Sequence, residues 1–376
     1  MMTRSSTARV IAEIVVAAVG VALVGCALAA RQPWLDRHFL PSFFVPRLWY
    51  VLIETTVRVV IGLSGLAMAM VLRRPVARAL VRAPHYLLTG ALAVVLAVSA
   101  SEFVLRQEHS QPTAWLAKAE EPLRQADDQL GWVLTPGRTG HATIGGRQVD
   151  YRIDTAGYRI AANGADIDPE RPTIVFAGES VMFGEGLQWD ETIPAQVEAM
   201  LGIQSANLAV HGYSSDQIYL RLEQELPRFR RPVAVVALFM TALFGRNLDR
   251  DRPHLVEPDL VWQPAEHASQ LTTLATFLVP YRSDRTVTGG VRMTRDVLHA
   301  IVALTRARGA TPLIVIPQFG TEDSVENTLR NRILDDQVPY VFATIDASWR
   351  LAWDRHPNAR AAQLIAQSVA LQLKAR

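Results

Sequence analysis

The sequence predicts an α/β domain built on a doubly wound parallel sheet and preceded by three transmembrane helices. Two observations support this fold class. In the second part of the chain, short apolar runs alternate with segments of helical periodicity, which is typical of parallel strands joined by helices. In the first part, three apolar segments each approach the ~20 residues that a helix needs to cross a bilayer. The apolar runs of the second part cover residues 172–177, 205–210, 233–240, 312–317 and 339–345.

The three apolar segments of the first part cover residues 10–30, 48–72 and 86–105. The loop between the second and third segments contains Arg73, Arg74, Arg78 and Arg82. An excess of arginine marks the loops that stay in the cytoplasm. With three spans and the amino terminus inside, everything after residue 105 lies in the periplasm or outside the cell. The sequence therefore predicts a multi-pass protein of the inner (plasma) membrane.

The first apolar segment has a second interpretation as a lipoprotein signal. Arg4 and Arg9 precede it, and Leu23-Val24-Gly25-Cys26 resembles a lipoprotein cleavage box. Cleavage at Cys26 would leave the rest of the chain on the same side of the membrane. In the second segment, Glu54 and Arg58 are four residues apart on one helix face, so we expect them to pair within the membrane.

Composition excludes several classes of protein. The chain has 38 basic and 36 acidic residues and no polybasic tract, so nucleic acid is not an expected partner. The single cysteine, Cys26, excludes an internal disulfide and a cysteine-based metal site. No metal ion and no organic cofactor is implied by the residues.

The remaining elements follow in chain order from turn residues and periodicity. We expect a membrane anchor over residues 1–105, a helical and charged connector over 106–135, and the α/β domain over 136–376. Alternating stretches between 137 and 160 predict a β-hairpin or small edge sheet that leads into this domain. A long insertion over 244–288 is expected to cover the carboxyl edge of the sheet. The amphipathic pattern of residues 357–374 predicts a final helix.

A serine follows the first strand of the predicted sheet. The apolar run 172–177 ends at Gly178-Glu179-Ser180, which is typical of a buried strand followed by a turn. Ligands bind at the carboxyl ends of the strands in open α/β sheets, so a hydroxyl at this position can meet a substrate. Ser180 is therefore the predicted nucleophile.

A serine hydroxyl needs a base, and Asp354 and His356 supply one just ahead of the last helix. A carboxylate two residues from an imidazole can bind its Nδ1 and leave Nε2 free to take a proton. The elbow Gly-x-Ser-x-Gly of lipase-type α/β-hydrolases is absent, because Met182 occupies its last glycine position.

Three ordered blocks of the chain resemble the SGNH hydrolases, also called GDSL esterases. The first block is Gly178 to Gly186, with Glu179 in place of the usual aspartate. The second is Asn207 followed by Gly212-Tyr213-Ser214, and the last is Asp354 with His356. The resemblance covers residues 125–376. It implies a three-layer, flavodoxin-like fold, a triad of Ser180, His356 and Asp354, and an oxyanion hole that includes the backbone N–H groups of Ser180 and Gly212.

One block of the family is different in this chain. The family places an oxyanion-binding asparagine just after the third strand, and this place falls near Ala242. The nearest asparagine is Asn247, so either Asn247 binds the oxyanion from a displaced turn or this donor is missing. Loss of one such donor costs about 10² to 10³ in rate.

The resemblance implies an extracytoplasmic serine esterase that removes an acyl group, such as acetyl, from a carbohydrate, an envelope polymer or a small ester. Two alternatives stay open. The same triad could transfer the acyl group to an envelope glycan, as an O-acetyltransferase does. A catalytically impaired chain could instead bind glycans or assemble with envelope polysaccharide machinery.

Overall fold

The computed structural model describes residues 2–43, 45–83, 85–109, 123–144, 146–266, 271, 272, 275, 279–352 and 354–375. The chain forms two compact units. The first contains Met1–Leu40, Val45–Ser110 and Ala268–Arg282. The second contains Pro41–Phe44, Gln111–His267 and Ser283–Arg376.

The first unit is helical. Its helices are α1 (Met2–Ala29), α2 (Gln32–His38), α3 (Arg47–Ala67), α4 (Arg73–Arg82) and α5 (His85–His109), and a π-helical turn (Met68–Leu72) joins α3 to α4. Among the described residues, two segments are long and apolar enough to cross a membrane by length and composition, Thr7–Ala29 and Arg47–Arg82. The third predicted span lies in α5, where the apolar stretch within the described residues, Thr89–Phe103, is shorter than a span.

Small residues bring α1 and α3 close together. A Cβ atom added to Gly20 would lie 2.6 Å from the Gly65 carbonyl oxygen, and one added to Gly65 would lie 2.6 Å from the Gly20 carbonyl oxygen. Glycines at both points therefore let the two backbones touch, as small residues do between membrane helices.

Glu54 and Arg58 do not form the predicted ion pair among the described side chains. The Gln32 Nε2 amide donates a hydrogen bond to Glu54 Oε2 at 2.8 Å, and Arg58 Nε donates to the Ala27 carbonyl at 3.4 Å. Each charged group is bound by a neighbouring polar group instead, because α2 presents Gln32 to α3 and α1 presents its last carbonyls to Arg58.

The second unit contains an eight-stranded mixed sheet. In spatial order its strands are β12, β11, β8, β6, β7, β5, β4 and β3. Five of them, from β12 to β7, are parallel, and β5, β4 and β3 add an antiparallel edge. The strands are β3 (Thr139–Ile144), β4 (Arg147–Ile153), β5 (Arg159–Ile160), β6 (Pro172–Ala177), β7 (Gln204–Asn207), β8 (Arg231–Leu238), β11 (Thr311–Phe319) and β12 (Tyr340–Ile345).

The parallel strands occur in the doubly wound order. Counted along the chain from β6, they lie in the order 2-1-3-4-5, so the direction of winding reverses after the first crossover. Right-handed crossovers then place helices on both faces of the sheet. The helices of this unit are α6 (Ser180–Phe183), α7 (Ile193–Leu201), α8 (Ser215–Glu225), α9 (Asp284–Ala307), α10 (Ser324–Ile333) and α11 (Ala359–Lys374). In the packed structure α7 contacts α11, while α8 contacts α9.

The predicted connector and insertion contain short hairpins. Residues 110–122 of the connector lie outside the described part of the chain, and its last residues form the hairpin of β1 (Arg124–Asp127) and β2 (Gly131–Leu134) rather than a helix. The insertion begins with a 3₁₀ helix (Thr241–Leu248) and continues as the hairpin of β9 (His254–Val256) and β10 (Val261–Gln263). Residues 267–270, 273, 274 and 276–278 of the insertion are outside the described residues.

Candidate active site

Ser180 begins a four-residue helix directly after β6. Glu179 is the N-cap of this helix, and its Oε1 accepts a hydrogen bond from the Val181 N–H at 3.2 Å. Gly184 ends the helix with φ +87°, and a Cβ atom there would lie 2.5 Å from Thr192. The turn therefore requires glycine at 184, and its two ends hold Ser180 at the carboxyl edge of the sheet.

The structure brings together Ser180, His356 and Asp354. His356 Nε2 lies 2.7 Å from Ser180 Oγ, and His356 Nδ1 lies 2.5 Å from Asp354 Oδ1. The Asp354 oxygen also accepts the His356 backbone N–H at 2.7 Å. Since Asp354 accepts from Nδ1–H, the imidazole has the orientation in which Nε2 faces the hydroxyl.

The imidazole is buried among negative charges. Burial alone would lower the pKa of His356, but the hydrogen bond to Asp354 and the charges of Glu185, Asp354 and Glu179 outweigh it, so the pKa is raised. The pKa of Asp354 is lowered, because its hydrogen bonds with His356 outweigh the opposite effect of burial. The pair is thus arranged to stabilise an imidazolium next to Ser180.

Ser180 has a second close partner in Glu179. Its hydroxyl donates to Glu179 Oε2 at 2.5 Å, and Arg246 Nη1 donates to the same oxygen at 3.3 Å. The single hydroxyl proton therefore lies between two acceptors, the Glu179 carboxylate and His356 Nε2. No sequence motif identifies Arg246, because the Arg246–Glu179 contact joins residues 67 positions apart.

Two backbone N–H groups are candidates for the oxyanion hole that the motifs predict. Within the described residues, neither the Ser180 N–H nor the Gly212 N–H has a hydrogen-bond partner. The carbonyl groups of the Gly212 loop are fixed by two hydrogen bonds. Arg252 Nη1 donates to the Gly212 carbonyl at 2.7 Å, and Trp132 Nε1 donates to the His211 carbonyl at 2.9 Å. Free donors on a fixed backbone are what an oxyanion hole requires.

The Asn247 side chain binds Ser215 and Thr294. Its Oδ1 accepts the Ser215 N–H at 2.9 Å, and its Nδ2 donates to Ser215 Oγ and to Thr294 Oγ1, both at 3.0 Å. The two amide hydrogens thus join the start of α8 to α9, and the structure does not bring the Asn247 amide together with Ser180.

A buried arginine holds the turn that follows Ser180. Arg159 is fully buried, and its guanidinium donates to the carbonyls of Phe183 at 2.6 Å, Gly184 at 2.7 Å and Leu187 at 2.5 Å. It also lies over the rings of Tyr151 and Phe183. Burial lowers the pKa of Arg159 to about 10. The short strand β5, which lies between β7 and β4, therefore helps to position the nucleophile turn through one side chain.

A second imidazole–carboxylate pair lies beside the turn. His211 Nε2 is 2.5 Å from Glu185 Oε2, and the His211 ring lies 3.9 Å from the Phe183 ring, centroid to centroid. His211 Nδ1 is buried and has no hydrogen-bond partner. Burial would raise the pKa of Glu185, but the charge and hydrogen bond of His211 outweigh it and lower that pKa.

An aromatic side chain from a distant segment contacts the triad. The Phe43 ring is buried and its centroid lies 5.7 Å from that of His356, and the Phe43 N–H donates to the Ala242 carbonyl at 3.1 Å. The Arg350 guanidinium lies over the rings of Phe43 and Phe319, at 4.8 Å and 3.9 Å. Phe43 precedes the second apolar segment in the sequence, so no motif pointed to it.

No family model and no curated protein matches the chain in sequence. Among solved structures, a lipolytic protein of the G-D-S-L family from Desulfitobacterium hafniense aligns with 53% of this chain and 98% of its own, at 13% identity and a TM-score of 0.36. The acetyl xylan esterase Est2A from Butyrivibrio proteoclasticus aligns with 56% of this chain, at 12% identity and a TM-score of 0.33. A carbohydrate esterase family 2 enzyme from Corynascus thermopiles aligns with 59% of this chain and 74% of its own, at 12% identity and a TM-score of 0.33.

The chain spans just under two thirds, 65%, of the acetyl xylan esterase. At these scores the likeness supports no statement about activity. The chain's own features are more specific, because the doubly wound strand order, the Ser180 turn after β6 and the Asp354–His356 pair before α11 occur together. In its strand order and in the order of its motifs, the chain resembles the SGNH hydrolases.

Proposed function

We propose that the protein is a membrane-anchored, extracytoplasmic serine esterase that removes a short acyl group, such as acetyl, from a carbohydrate or envelope polymer. The observation that supports this proposal is the continuous contact from Asp354 through His356 to Ser180. Among the described residues, the backbone N–H groups of Ser180 and Gly212 have no hydrogen-bond partner. The triad supplies the nucleophile, the base and the group that orients the base in acyl transfer to a serine.

In the proposed mechanism, Ser180 Oγ attacks the ester carbonyl carbon as His356 Nε2 takes the hydroxyl proton. The carbonyl oxygen gains negative charge, and the N–H groups of Ser180 and Gly212 bind it. His356 then gives its proton to the departing alcohol oxygen, which leaves an acyl-enzyme on Ser180. Water attacks this acyl group, His356 takes one proton of the water, and that proton returns to Ser180 Oγ as the carboxylic acid leaves. Asp354 stabilises the imidazolium in both steps.

The proposal is tested with the full-length protein in a mild detergent. We expect hydrolysis of 4-nitrophenyl acetate and covalent labelling by a fluorophosphonate, and we expect Ser180→Ala to lose both. Ser348→Ala is the matched control, because Ser348 is exposed and its hydroxyl binds only Asp346 in the described structure. A wild-type protein that neither hydrolyses the ester nor takes the label would refute the esterase and favour a binding component.

The same preparation separates hydrolysis from transfer. An acyl-enzyme that releases free acetate at the same rate with and without an added oligosaccharide is a hydrolase. An acyl-enzyme that turns over only when the oligosaccharide is present, and leaves the acetyl group on it, is a transferase that uses the same triad.

The proposed location depends on the number of spans. Two segments meet the length and composition of a span, and we include α5 as the third in the proposal. An odd number of spans places the two ends of the chain on opposite sides of the membrane, and an even number places them on the same side. Alkaline phosphatase fused after residue 376 is expected to be active, and green fluorescent protein at the same position is expected to be dark. The opposite pattern would exclude an extracytoplasmic domain.

A further inference from the structure

Ser180 has an unusual neighbour for a nucleophile. Glu179 is buried, with 3% of its surface exposed, and its Oε2 lies 2.5 Å from Ser180 Oγ. A carboxylate at this distance holds the hydroxyl proton that His356 must take. It also repels the negative charge that develops on the substrate oxygen during attack, and a buried site screens this repulsion weakly.

A guanidinium lies against this carboxylate. Arg246 Nη1 lies 3.3 Å from the same Oε2 atom that accepts the Ser180 hydroxyl. The Arg246 side chain is 20% exposed and that of Glu179 is 4% exposed, so the contact is largely shielded from water. Arg246 belongs to the 3₁₀ helix that follows β8, four residues after Ala242. The guanidinium therefore comes from the segment in which the family's oxyanion-binding asparagine is missing.

We infer that Arg246 is a positioning residue that neutralises Glu179 beside the nucleophile, an inference that rests on the proposed esterase function. Pairing with Arg246 makes the Glu179 carboxylate a weaker acceptor for the Ser180 proton, which leaves that proton to His356. The positive charge also offsets the repulsion between Glu179 and the developing oxyanion. Glu179 and Arg246 thus act as one unit, and each is tolerable at this site only because the other is present.

A double-mutant cycle of Arg246 and Glu179 tests whether the two side chains act as one unit. Arg246→Gln leaves a buried, unpaired carboxylate at Ser180, so we expect kcat/KM for 4-nitrophenyl acetate to fall about 10²-fold, the size of one lost oxyanion donor. Glu179→Gln keeps an oxygen that can cap Val181 and removes the charge, so we expect a smaller loss. The double variant Glu179→Gln with Arg246→Gln is expected to regain most of the rate that Arg246→Gln loses. Arg246→Lys, which keeps the charge, is expected to retain most of the wild-type rate.

The measurements are made on the full-length protein in detergent, with the rate of fluorophosphonate labelling as a second readout that needs no turnover. Arg250→Gln is the matched control, because Arg250 is 64% exposed and pairs with Glu266 at the surface. A double variant as slow as Arg246→Gln or slower would overturn the inference, since a merely structural arginine is not rescued by removing Glu179. A Glu179→Gln variant as inactive as one lacking His356 would also overturn it, because Glu179 would then be a base. Failure of the esterase proposal looks different, since the wild type itself would neither turn over nor take the label.

Discussion

Two imidazole–carboxylate pairs lie next to the Ser180 turn, and they differ in which ring nitrogen binds the carboxylate. In both pairs the nitrogen and oxygen are 2.5 Å apart. In the first, Asp354 binds Nδ1 of His356, and Nε2 faces Ser180 Oγ. In the second, Glu185 binds Nε2 of His211, and the remaining Nδ1 is buried without a partner. An imidazole and a carboxylate therefore do not by themselves make a base for Ser180, because the free nitrogen must also face the hydroxyl.

The surroundings of the two imidazoles explain this difference. His356 lies on a loop after β12 that folds back on itself, since the Leu351 N–H donates to the His356 carbonyl at 2.9 Å and the Asn358 N–H donates to the Trp349 carbonyl at 3.1 Å. This loop directs the ring toward Ser180. His211 directly precedes Gly212 and lies against the Phe183 ring, so its carboxylate partner comes from the nucleophile turn itself.

The largest expected effect comes from replacing the two histidines in turn. On the proposed mechanism His356→Asn removes the base, and we expect kcat for 4-nitrophenyl acetate to fall by about 10⁴-fold or more. His211→Asn leaves the triad intact, and we expect a fall of less than about tenfold, well below the loss of one oxyanion donor. Steady-state kinetics of the two variants measure the two losses of kcat. Equal losses would show that both imidazoles take part in proton transfer.

The next largest effect on kcat is expected from replacing the two carboxylates, Asp354 and Glu185. Asp354→Asn removes the charge that stabilises the imidazolium and reverses the hydrogen bond at Nδ1, so we expect kcat to fall about 10⁴-fold. Glu185→Gln is the matched change in the second pair, and we expect it to alter kcat far less. A pair of variants with the same kcat would indicate that His356 does not need Asp354 to orient its ring.

The pH dependence of the rate tests how Asp354 affects the pKa of His356. His356 must be neutral to act as a base, and its raised pKa places the rise of kcat/KM above about pH 6.5, the ordinary value for histidine. In Asp354→Asn the hydrogen bond and the charge that raise this pKa are lost, so the residual activity is expected to rise at lower pH than in the wild type. A pH–rate profile that does not move in this variant would contradict the assigned cause of the shift.

A smaller effect is expected on stability. The folded state lowers the pKa of Glu185, so this pair contributes stability above the unfolded pKa of about 4.3 and loses it as the pH falls through the folded pKa. Glu185→Gln is therefore expected to destabilise the protein at pH 7 by about 1.5 to 3 kcal/mol, the range for a hydrogen bond to a charged group. The difference from the wild type should shrink below about pH 4.3. Urea unfolding at several pH values measures this difference in the free energy of unfolding. A difference that grows as the pH falls would contradict the prediction.

The smallest effect on rate is expected at Asn247. Because both of its amide hydrogens bind Ser215 and Thr294, Asn247→Ala should cost about 1 to 3 kcal/mol of stability. Its kcat should change by less than about tenfold, since no oxyanion donor is lost. A loss of about 10² in kcat with unchanged stability would instead place the Asn247 amide in the oxyanion hole.

Much of the fold was predictable from local patterns. The apolar runs overlapped all five parallel strands, among them β6 and β11, which are buried along most of their length. The strand β7 is buried although three of its four residues are polar, and the run at 205–210 extends beyond its end. Ser180 and His356, 176 positions apart, meet because each follows a strand at the same edge of one sheet. The third span was predicted from composition, and α5 is a helix there, but its described apolar stretch is shorter than a span.

The partners of buried charges were not predictable in this way. Arg159, Arg246 and Glu185 each contact a segment that the sequence places far away, and periodicity says nothing about which loop meets which. Glu54 is a further example. The spacing along its own helix predicted Arg58 as its partner, but the structure pairs it with Gln32 of another helix. Sequence reveals which residues are chemically capable, and tertiary packing decides which of them meet.

The Arg159 contact has a consequence for how the protein loses activity on heating. Because one side chain from β5 binds three carbonyls of the nucleophile turn, opening of the antiparallel edge of the sheet should loosen this turn, which the Asn207 amide of β7 also holds through the Met182 and Phe183 carbonyls. Amide hydrogen exchange in residues 183–187 should therefore increase when β5 and β4 open, even while the parallel strands stay protected. Fraying of the edge hairpin would then weaken the segment that contains Ser180 while the rest of the sheet is still folded.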